Sequence, residues 1–318
     1  MECAKKKLFL SLHFKQYHMK KYCLLLALIL GNLVSSCTLK DPVISDWDTY
    51  ISEYENWQHT RLKRLKSESG WLNLAGLFWL EEGENTIGSD PSNSVVFPKN
   101  FPPFAGKIIL EDSMATLMVK PGIEITVNGE PVSEMKLYHD QQDSTTIMAL
   151  EHFRWFIIKR GERSAIRLRD LDHPRIASLD HIPSYPFDKD YVVEAKLIPY
   201  DSVRTLKVPT AIADFYEYYK VPGELQFTIK GKKQKLLPFT SGKGYFLIVG
   251  DATNGVETYG AGRFMYVDMP GKDKIIIDFN RAYNPPCAFS PFATCPLPPL
   301  ENILDIEIKA GEKAVHLK

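Results

Sequence analysis

The 318-residue chain balances 39 lysines and arginines against 39 aspartates and glutamates, giving a formal charge of zero, and 44% of its residues are hydrophobic. That composition excludes a disordered chain and the basic surface of a nucleic-acid binder. The length suits one large or two ordinary domains.

Residues 24–30, LLLALIL, form an apolar run too short to cross a bilayer, which takes about 20 residues. Lys20-Lys21 precede it and the small residues Val34-Ser35-Ser36 follow, so residues 1–36 read as an export signal peptide. Met19 would itself make a normal start, which marks residues 1–18 as an upstream extension or a misassigned start. Val34-Ser35-Ser36-Cys37 resembles a bacterial lipobox. The resemblance implies that Cys37 is lipidated by palmitate-class acyl chains and anchors the chain to membrane lipid. The expected location is the bacterial cell envelope, outside the cytoplasm, with residues 37–45 as the lipidated tether. Residues 1–36 hold six lysines and one glutamate, so 33 basic and 38 acidic side chains remain, a formal charge of −5. The one basic cluster, Lys230 to Lys235, lies between two apolar runs as a hairpin turn, and nucleic acid is not an expected partner.

Trp47, Tyr50, Ile51, Tyr54, Trp57, Arg61, Leu62 and Leu65 recur at helical spacing, so 46–69 is expected to hold an amphipathic helix packed on the body. Ser45 is placed to cap its start and Gly70 to close the stretch. Beyond Gly70, short β-branched and aromatic runs alternate with turn residues. Gly161-Glu162 falls between two strand patterns as a hairpin turn. Later strands are expected at 191–199, 203–208, 223–229, 235–239, 244–250, 263–267, 274–279 and 303–309. The fold class is therefore mainly β: an N-terminal amphipathic helix followed by two packed β domains, 70–180 and 181–318, each a sandwich or partly closed barrel.

Two resemblances sharpen this. Gly83-Glu84-Asn85-Thr86-Ile87-Gly88-Ser89 with Val127-Asn128-Gly129 resembles the forkhead-associated sandwich, over roughly 70–140. Ser89 stands where that family has an arginine, and its Ser-x-x-His has no counterpart, so the resemblance carries the sandwich without phosphothreonine binding. Gly70-Trp71-Leu72, Gly76-Leu77-Phe78-Trp79, Tyr259-Gly260-Ala261-Gly262-Arg263-Phe264 and Ala310-Gly311-Glu312 resemble a family of bacterial proteins catalogued as domain of unknown function 1684. That family name implies no reaction.

Residues 278–299, DFNRAYNPPCAFSPFATCPLPP, hold six prolines and two cysteines. Outside the cytoplasm Cys287 and Cys295 are expected to pair as a disulfide; free structural thiols and a redox or metal pair are the alternatives. His173 and His181 flank Asp180 among several loop carboxylates, yet turn chemistry explains them as well, and neither a metal nor a cofactor is expected. No Gly-x-Ser-x-Gly elbow, Walker loop or Rossmann fingerprint is present. A polar constellation remains on strand ends and turns of the last third. Asp278, Arg263, Asn280 and Tyr259 are the catalytic candidates, and Asp251, Thr253, Asn254, Asn284 and Arg281 the ligand-binding candidates.

Two functions follow from these residues. One is a lipid-anchored, non-catalytic envelope protein whose C-terminal β domain binds a small polar or glycan-like ligand or an envelope protein. The other is a hydrolase or transferase using Asp278 as base, with Arg263 and Asn280 positioning substrate. Convergence of Arg263, Asp278, Asn280 and Tyr259 in one concavity favours catalysis; dispersal, or satisfaction by the backbone, favours binding.

Overall fold

Helix α1 (Trp47–Lys66) begins where the Asp46 carboxylate accepts from the N–H groups of Asp48 and Thr49, both at 3.1 Å. The cap is thus Asp46 and not Ser45, because its short carboxylate reaches two of the helix's free donors and suits the positive end of the dipole. Ser67 ends the helix. Gly70 then passes so close to the helix that a β-carbon there would stand 2.1 Å from the Leu65 carbonyl oxygen. The computed structural model describes residues 44–242, 244–268 and 275–317, and the expected signal segment and Cys37 lie outside them.

The strands that follow form a two-sheet sandwich. In chain order they are β1 (Leu74–Trp79), β2 (Gly83–Gly88), β3 (Val95–Val96), β4 (Gly106–Glu111), β5 (Met114–Val119) and β6 (Ile125–Val127). Then come β7 (Glu130–Val132), β8 (Glu134–Leu137), β9 (Met148–Leu150), β10 (Phe153–Arg160) and β11 (Arg163–Asp170). One sheet runs β1-β11-β10-β9-β6-β7 and the other β3-β2-β4-β5-β8. Between them Ile87, Ile108, Leu117, Trp155 and Ile166 are completely enclosed. Asn128 and Gly129 both take positive φ, +53° and +85°, and close β6 onto β7 as a two-residue hairpin. Gly161-Glu162 closes β10 onto β11 in the same way, with Arg160 facing Arg163.

After the short helix α2 (Pro174–Ser178), the remaining strands are β12 (Val192–Pro209), β13 (Tyr216–Ile229), β14 (Lys232–Leu236), β15 (Phe239–Ser241), β16 (Gly244–Val249), β17 (Arg263–Asp268) and β18 (Ile275–Asp278). The two strands expected at 191–199 and 203–208 are one, β12, whose register against β13 shifts between Pro199 and Arg204. The turn in the lysine cluster is only Lys230-Gly231, with φ +47° and +77°; Lys232, Lys233 and Lys235 belong to β14. Sheets β14-β13-β12-β18 and β15-β16-β17 enclose Leu225, Leu236, Leu247 and Ile277. No sheet closes into a barrel among the described residues. Residues 46–318 cluster as one unit. A further apolar seam joins Leu74 of β1 to Val208, Phe239, Phe264 and Cys295.

The strand expected at 303–309 is absent. Its apolar residues do alternate inward, with Leu304 and Ile308 buried, but its backbone is bonded piecemeal. Leu304 N–H donates to the Gly250 carbonyl at 2.8 Å and Ile308 N–H to the Asp251 carboxylate at 3.2 Å. Gly250 and Ala252 supply neighbouring backbone as far as Ile306, with Ala252 N–H donating to the Ile306 carbonyl at 3.0 Å, and the Asp251 and Arg263 side chains take over at Ile308, so period-two burial survives without a continuous ladder.

Gly262 explains part of the Tyr-Gly-Ala-Gly-Arg stretch. It takes φ +81°, and a β-carbon there would lie 2.6 Å from the Val249 carbonyl oxygen. Gly255, at φ +78°, has open space around it. Gly262→Ala is therefore expected to cost about 2–3 kcal/mol, and Gly255→Ala about 1 kcal/mol, in urea unfolding of the two variants. Equal costs would mean that the Val249 contact is not what requires the glycine.

Candidate functional site

The nine polar candidates do not converge. They separate into two closed knots, one residue beside a pair of cysteines, and one residue on a cavity.

The first knot is built on Arg263, at the start of β17 and 2% exposed. Its Nη2 donates to Asp251 Oδ2 at 2.8 Å and to the Ile308 carbonyl at 2.9 Å. Its Nη1 donates to the carbonyls of Ala310 and, at 3.4 Å, Glu312. The other Asp251 oxygen accepts from Thr253 N–H at 2.9 Å and Thr253 Oγ1 at 2.6 Å. Asn254 turns inward, its Oδ1 accepting from Asp251 N–H at 2.6 Å and its Nδ2 donating to Thr258 at 2.8 Å. Arg263 thus serves Asp251 and the backbone, not Asp278. Both Nη groups are taken, which leaves no Nη fork for a substrate's acid group.

The second knot lies at the end of β18. Asp278 Oδ1 accepts from Asn280 N–H at 2.9 Å and from Asn280 Nδ2 at 2.8 Å, while Oδ2 accepts from Tyr50 of α1 at 2.9 Å and lies 3.4 Å from Arg281 Nε. Asn280 also clamps Asp188, accepting its N–H and donating to its carbonyl, each at 3.0 Å. Burial raises the Asp278 carboxyl above its ordinary value, against the lowering effect of Asn280, Tyr50 and Arg281. Burial likewise lifts the Tyr54 phenol to about 12. These contacts dock the helix: Tyr50 and Tyr54 also pack on Phe187, with ring centroids 6.3 and 5.1 Å apart.

Tyr259 stands elsewhere, half-buried, and its phenol is raised by burial and then by the neighbouring Cys287 and Cys295. Cys287 and Cys295 are free cysteines that accept hydrogen bonds reciprocally, Cys287 N–H to Cys295 Sγ at 3.1 Å and Cys295 N–H to Cys287 Sγ at 3.4 Å.

Asn284, 1% exposed, lines a cavity. Its N–H donates to Glu312 Oε2 at 2.7 Å and its Nδ2 to the Lys313 carbonyl at 2.7 Å. Its Oδ1 is buried with no hydrogen-bond partner among the described residues. The cavity beside it has a volume of about 360 Å³, within the range of small-molecule sites. Its walls come from α1 (Trp57, Thr60, Arg61, Arg64), from Trp71, and from aromatic rings that include Tyr266 and Tyr283. The rings of Tyr266 and Tyr283 stack at 17° with centroids 6.3 Å apart, and Tyr266 is 63% exposed. Arg61 is committed: it pairs with the buried Glu312, donates to the Asn284 carbonyl at 2.8 Å and lies 4.4 Å over the Tyr283 ring. The Arg64 side chain is exposed at the rim and has no ion pair among the described residues. Among the described residues no carboxylate and no histidine lines the cavity.

Of the loop residues weighed as metal ligands, His173 caps α2, accepting from Arg175 N–H at 3.2 Å, and burial holds its imidazole below the ordinary value. Among the described residues no group of three or more His, Cys, Asp or Glu is placed to hold a metal ion. Sequence reasoning missed Trp57, Arg64, Trp71 and Tyr266. Its available signal was the helix stripe, where Trp57, Arg61 and Arg64 fall three and four residues apart on one face.

Because the folded state binds the Asp278 proton more tightly than the unfolded chain does, ionising it costs stability. Its stabilising contribution is complete below the usual value of 3.8 and is lost as pH rises through the folded-state value. Urea unfolding of wild type and Asp278→Asn between about pH 3 and 7 should therefore show the wild type losing ground to the variant as pH rises. A constant difference would remove the raised carboxyl from this account.

Residues 177–313 match the family model described as Protein of unknown function (DUF1684). Among solved structures, the chain is similar to an uncharacterized protein of Haloarcula marismortui at 30% identity, covering 44% of this chain and 80% of that one with a TM-score of 0.37. It is also similar to the FhaA FHA domain, solved in complex with the intracellular domain of Rv3910, at 22% identity over 29% of this chain and 97% of that one, TM-score 0.21. No curated protein matches.

Proposed function

We propose that this chain, which belongs through residues 177–313 to the DUF1684 family, is a lipid-anchored protein of the bacterial cell envelope that binds a small acidic, glycan-like ligand without transforming it. The observation that carries the reading is the cavity between α1, Trp71 and the Tyr283-Asn284 turn. Its aromatic walls suit the flat, CH-rich face of a sugar ring, and its polar groups are few and fixed. The Thr60 hydroxyl can donate to or accept from a ligand hydroxyl, and Arg64 suits a carboxylate or phosphate at the rim. Catalysis loses its support for a simple reason. Arg263 is spent on Asp251 and carbonyls, Asp278 is held by Tyr50 and Asn280, and the cavity wall offers no general base. The export signal and the lipobox-like Val-Ser-Ser-Cys support the anchored location.

Titration of the protein with glucuronic acid, followed by the fluorescence of Trp57 and Trp71, should give a saturable change that glucose does not match. Losing the charged contact of Arg64 removes about 1.5–3 kcal/mol, so Arg64→Ala should weaken binding about tenfold or more. Tyr266→Ala, at an exposed position, should weaken it without changing the unfolding midpoint. Absence of binding by uronic acids and sugar phosphates alike would sink the ligand assignment.

The anchor is tested separately. Cys37→Ala should move the protein from the membrane fraction to the soluble fraction, and unchanged membrane association would refute the lipid.

A further inference from the structure

Cys287 lies in the one-turn 3-10 segment Pro286–Ala288, half-buried, and Cys295 is 5% exposed on the returning strand of the same loop. The Ala211 N–H fixes the Cys295 carbonyl at 2.8 Å, and the two sulfurs accept from each other's backbone. Arg167 of β11, 5% exposed, lies near enough for its charge to act on both sulfurs. Its Nε and Nη2 are buried without a hydrogen-bond partner among the described residues, and its guanidinium carbon lies 5.7 Å from the centre of the Trp71 ring. A cation this buried needs an anion. The nearby carboxylate, Asp140, is already taken by Arg160 at 2.7 Å. The anion left within reach is a thiolate of the cysteine pair.

We infer that Cys287 and Cys295 are a redox-active dithiol that closes and reopens by exchange with small-molecule disulfides and thiols, with Cys287 the attacking sulfur, Cys295 the resolving one and Arg167 the counter-cation of the thiolate. The half-buried sulfur is the one a reagent reaches, and the enclosed one is the one that follows. Hydrogen bonding from Cys295 holds the Cys287 thiol below its ordinary value, and Arg167 adds to this. The same hydrogen bond, together with burial, pushes Cys295 up. The other titratable groups facing the pair are Tyr259, from the turn before β17, and Tyr219 of β13, each kept neutral by burial. Against a disulfide R–S–S–R, the Cys287 thiolate forms a bond to one sulfur as the reagent's S–S bond breaks and RS⁻ leaves. Cys295 then gives its proton to solvent and attacks Cys287 Sγ, expelling the second RS⁻. The protein loses two electrons and two protons, and the reagent becomes two thiols.

The reduced protein is incubated with glutathione disulfide at neutral pH, and adducts at Cys287 and Cys295 are read by peptide mass, apart from any at the other cysteines. Cys295→Ser should accumulate one glutathione on Cys287, whereas Cys287→Ser should leave Cys295 unmodified. Wild type should pass to the internal disulfide and be reopened by dithiothreitol without denaturant. Arg167→Met should slow the first step about tenfold at neutral pH, and the gap should close above about pH 9, where an ordinary thiol is ionised. A structural role for Arg167 would not give that pH dependence. Should Arg167→Met fail to fold, the trapped adduct of Cys295→Ser still decides. A reduced pair inert to glutathione disulfide, or a disulfide that opens only after denaturation, would overturn the inference.

Discussion

A guanidinium enclosed at Arg263 organises the C-terminal half of the molecule. With 2% of its surface exposed it cannot turn to water, so its donors must be met by protein groups. Asp251 meets the charge, and the carbonyls of Ile308, Ala310 and Glu312 meet the remaining Nη donors. Those carbonyls belong to a segment that joins no sheet, and the arginine helps to place it alongside isolated backbone bonds such as Glu312 N–H to the Ala282 carbonyl at 2.8 Å. Removing one partner of such a pair leaves a buried charge uncompensated, a loss of about 3–5 kcal/mol. These contacts are architectural, and they explain why an arginine surrounded by Asp, Thr and Asn stands out in the sequence.

The cavity depends on that segment. Gly311 takes φ +77° where a β-carbon would lie 2.4 Å from the Ala282 carbonyl oxygen, so the chain turns tightly past the loop that follows β18. This places Glu312, 3% exposed, where it holds Arg61 of α1 and the N–H of Asn284 together. Arg61 in turn holds the Asn284 carbonyl and covers Tyr283. One carboxylate therefore aligns the helix wall with the turn wall. Tyr50 on Asp278 fixes the same helix nearer its start, so α1 is held at two points along the C-terminal domain. A ligand site between a helix and a β edge needs this rigidity, since loosely held walls would have to be ordered on binding.

Local chemistry was legible in the sequence, and assembly was not. Gly161-Glu162 announced its hairpin because a two-residue turn demands positive φ at a fixed place, and Asn128-Gly129, noted for its likeness to the forkhead-associated sandwich, closes β6 onto β7 for the same reason. The aromatic stripe of α1 announced a helix packed on the body. The alternation through Leu304 and Ile308 announced an extended segment, but not that its backbone partner would end at Ala252 and give way at Ile308 to the Asp251 and Arg263 side chains. Asp46 took the cap from Ser45 because both are good capping residues, and one position of register separates them. The cavity had no local signature: Trp57, Trp71, Tyr266 and Asn284 are scattered over more than two hundred residues and meet only through the contacts of Glu312 and the sheet. Asp278, Asn280 and Arg263 looked like a constellation because residues close in sequence were taken as facing one space, while two different knots consumed them.

The cysteine loop is constrained from another direction. Closing a loop of this length by a disulfide stabilises a protein by about 2.5–3 kcal/mol on the chain-entropy account. That gain comes from restricting the unfolded chain, and the six prolines of residues 278–299 restrict it already. The folded loop is also pinned without a sulfur–sulfur bond: Thr210 pairs with Pro296, Leu297 N–H donates to Pro209 at 2.8 Å, and Phe264 exchanges hydrogen bonds with Tyr283. A cross-link there adds little stability. A buried, unpaired arginine near the two sulfurs adds none, since an uncompensated cation opposes folding unless a thiolate answers it. Stability alone leaves both the second cysteine and Arg167 without a reason, and exchange chemistry gives a reason for each.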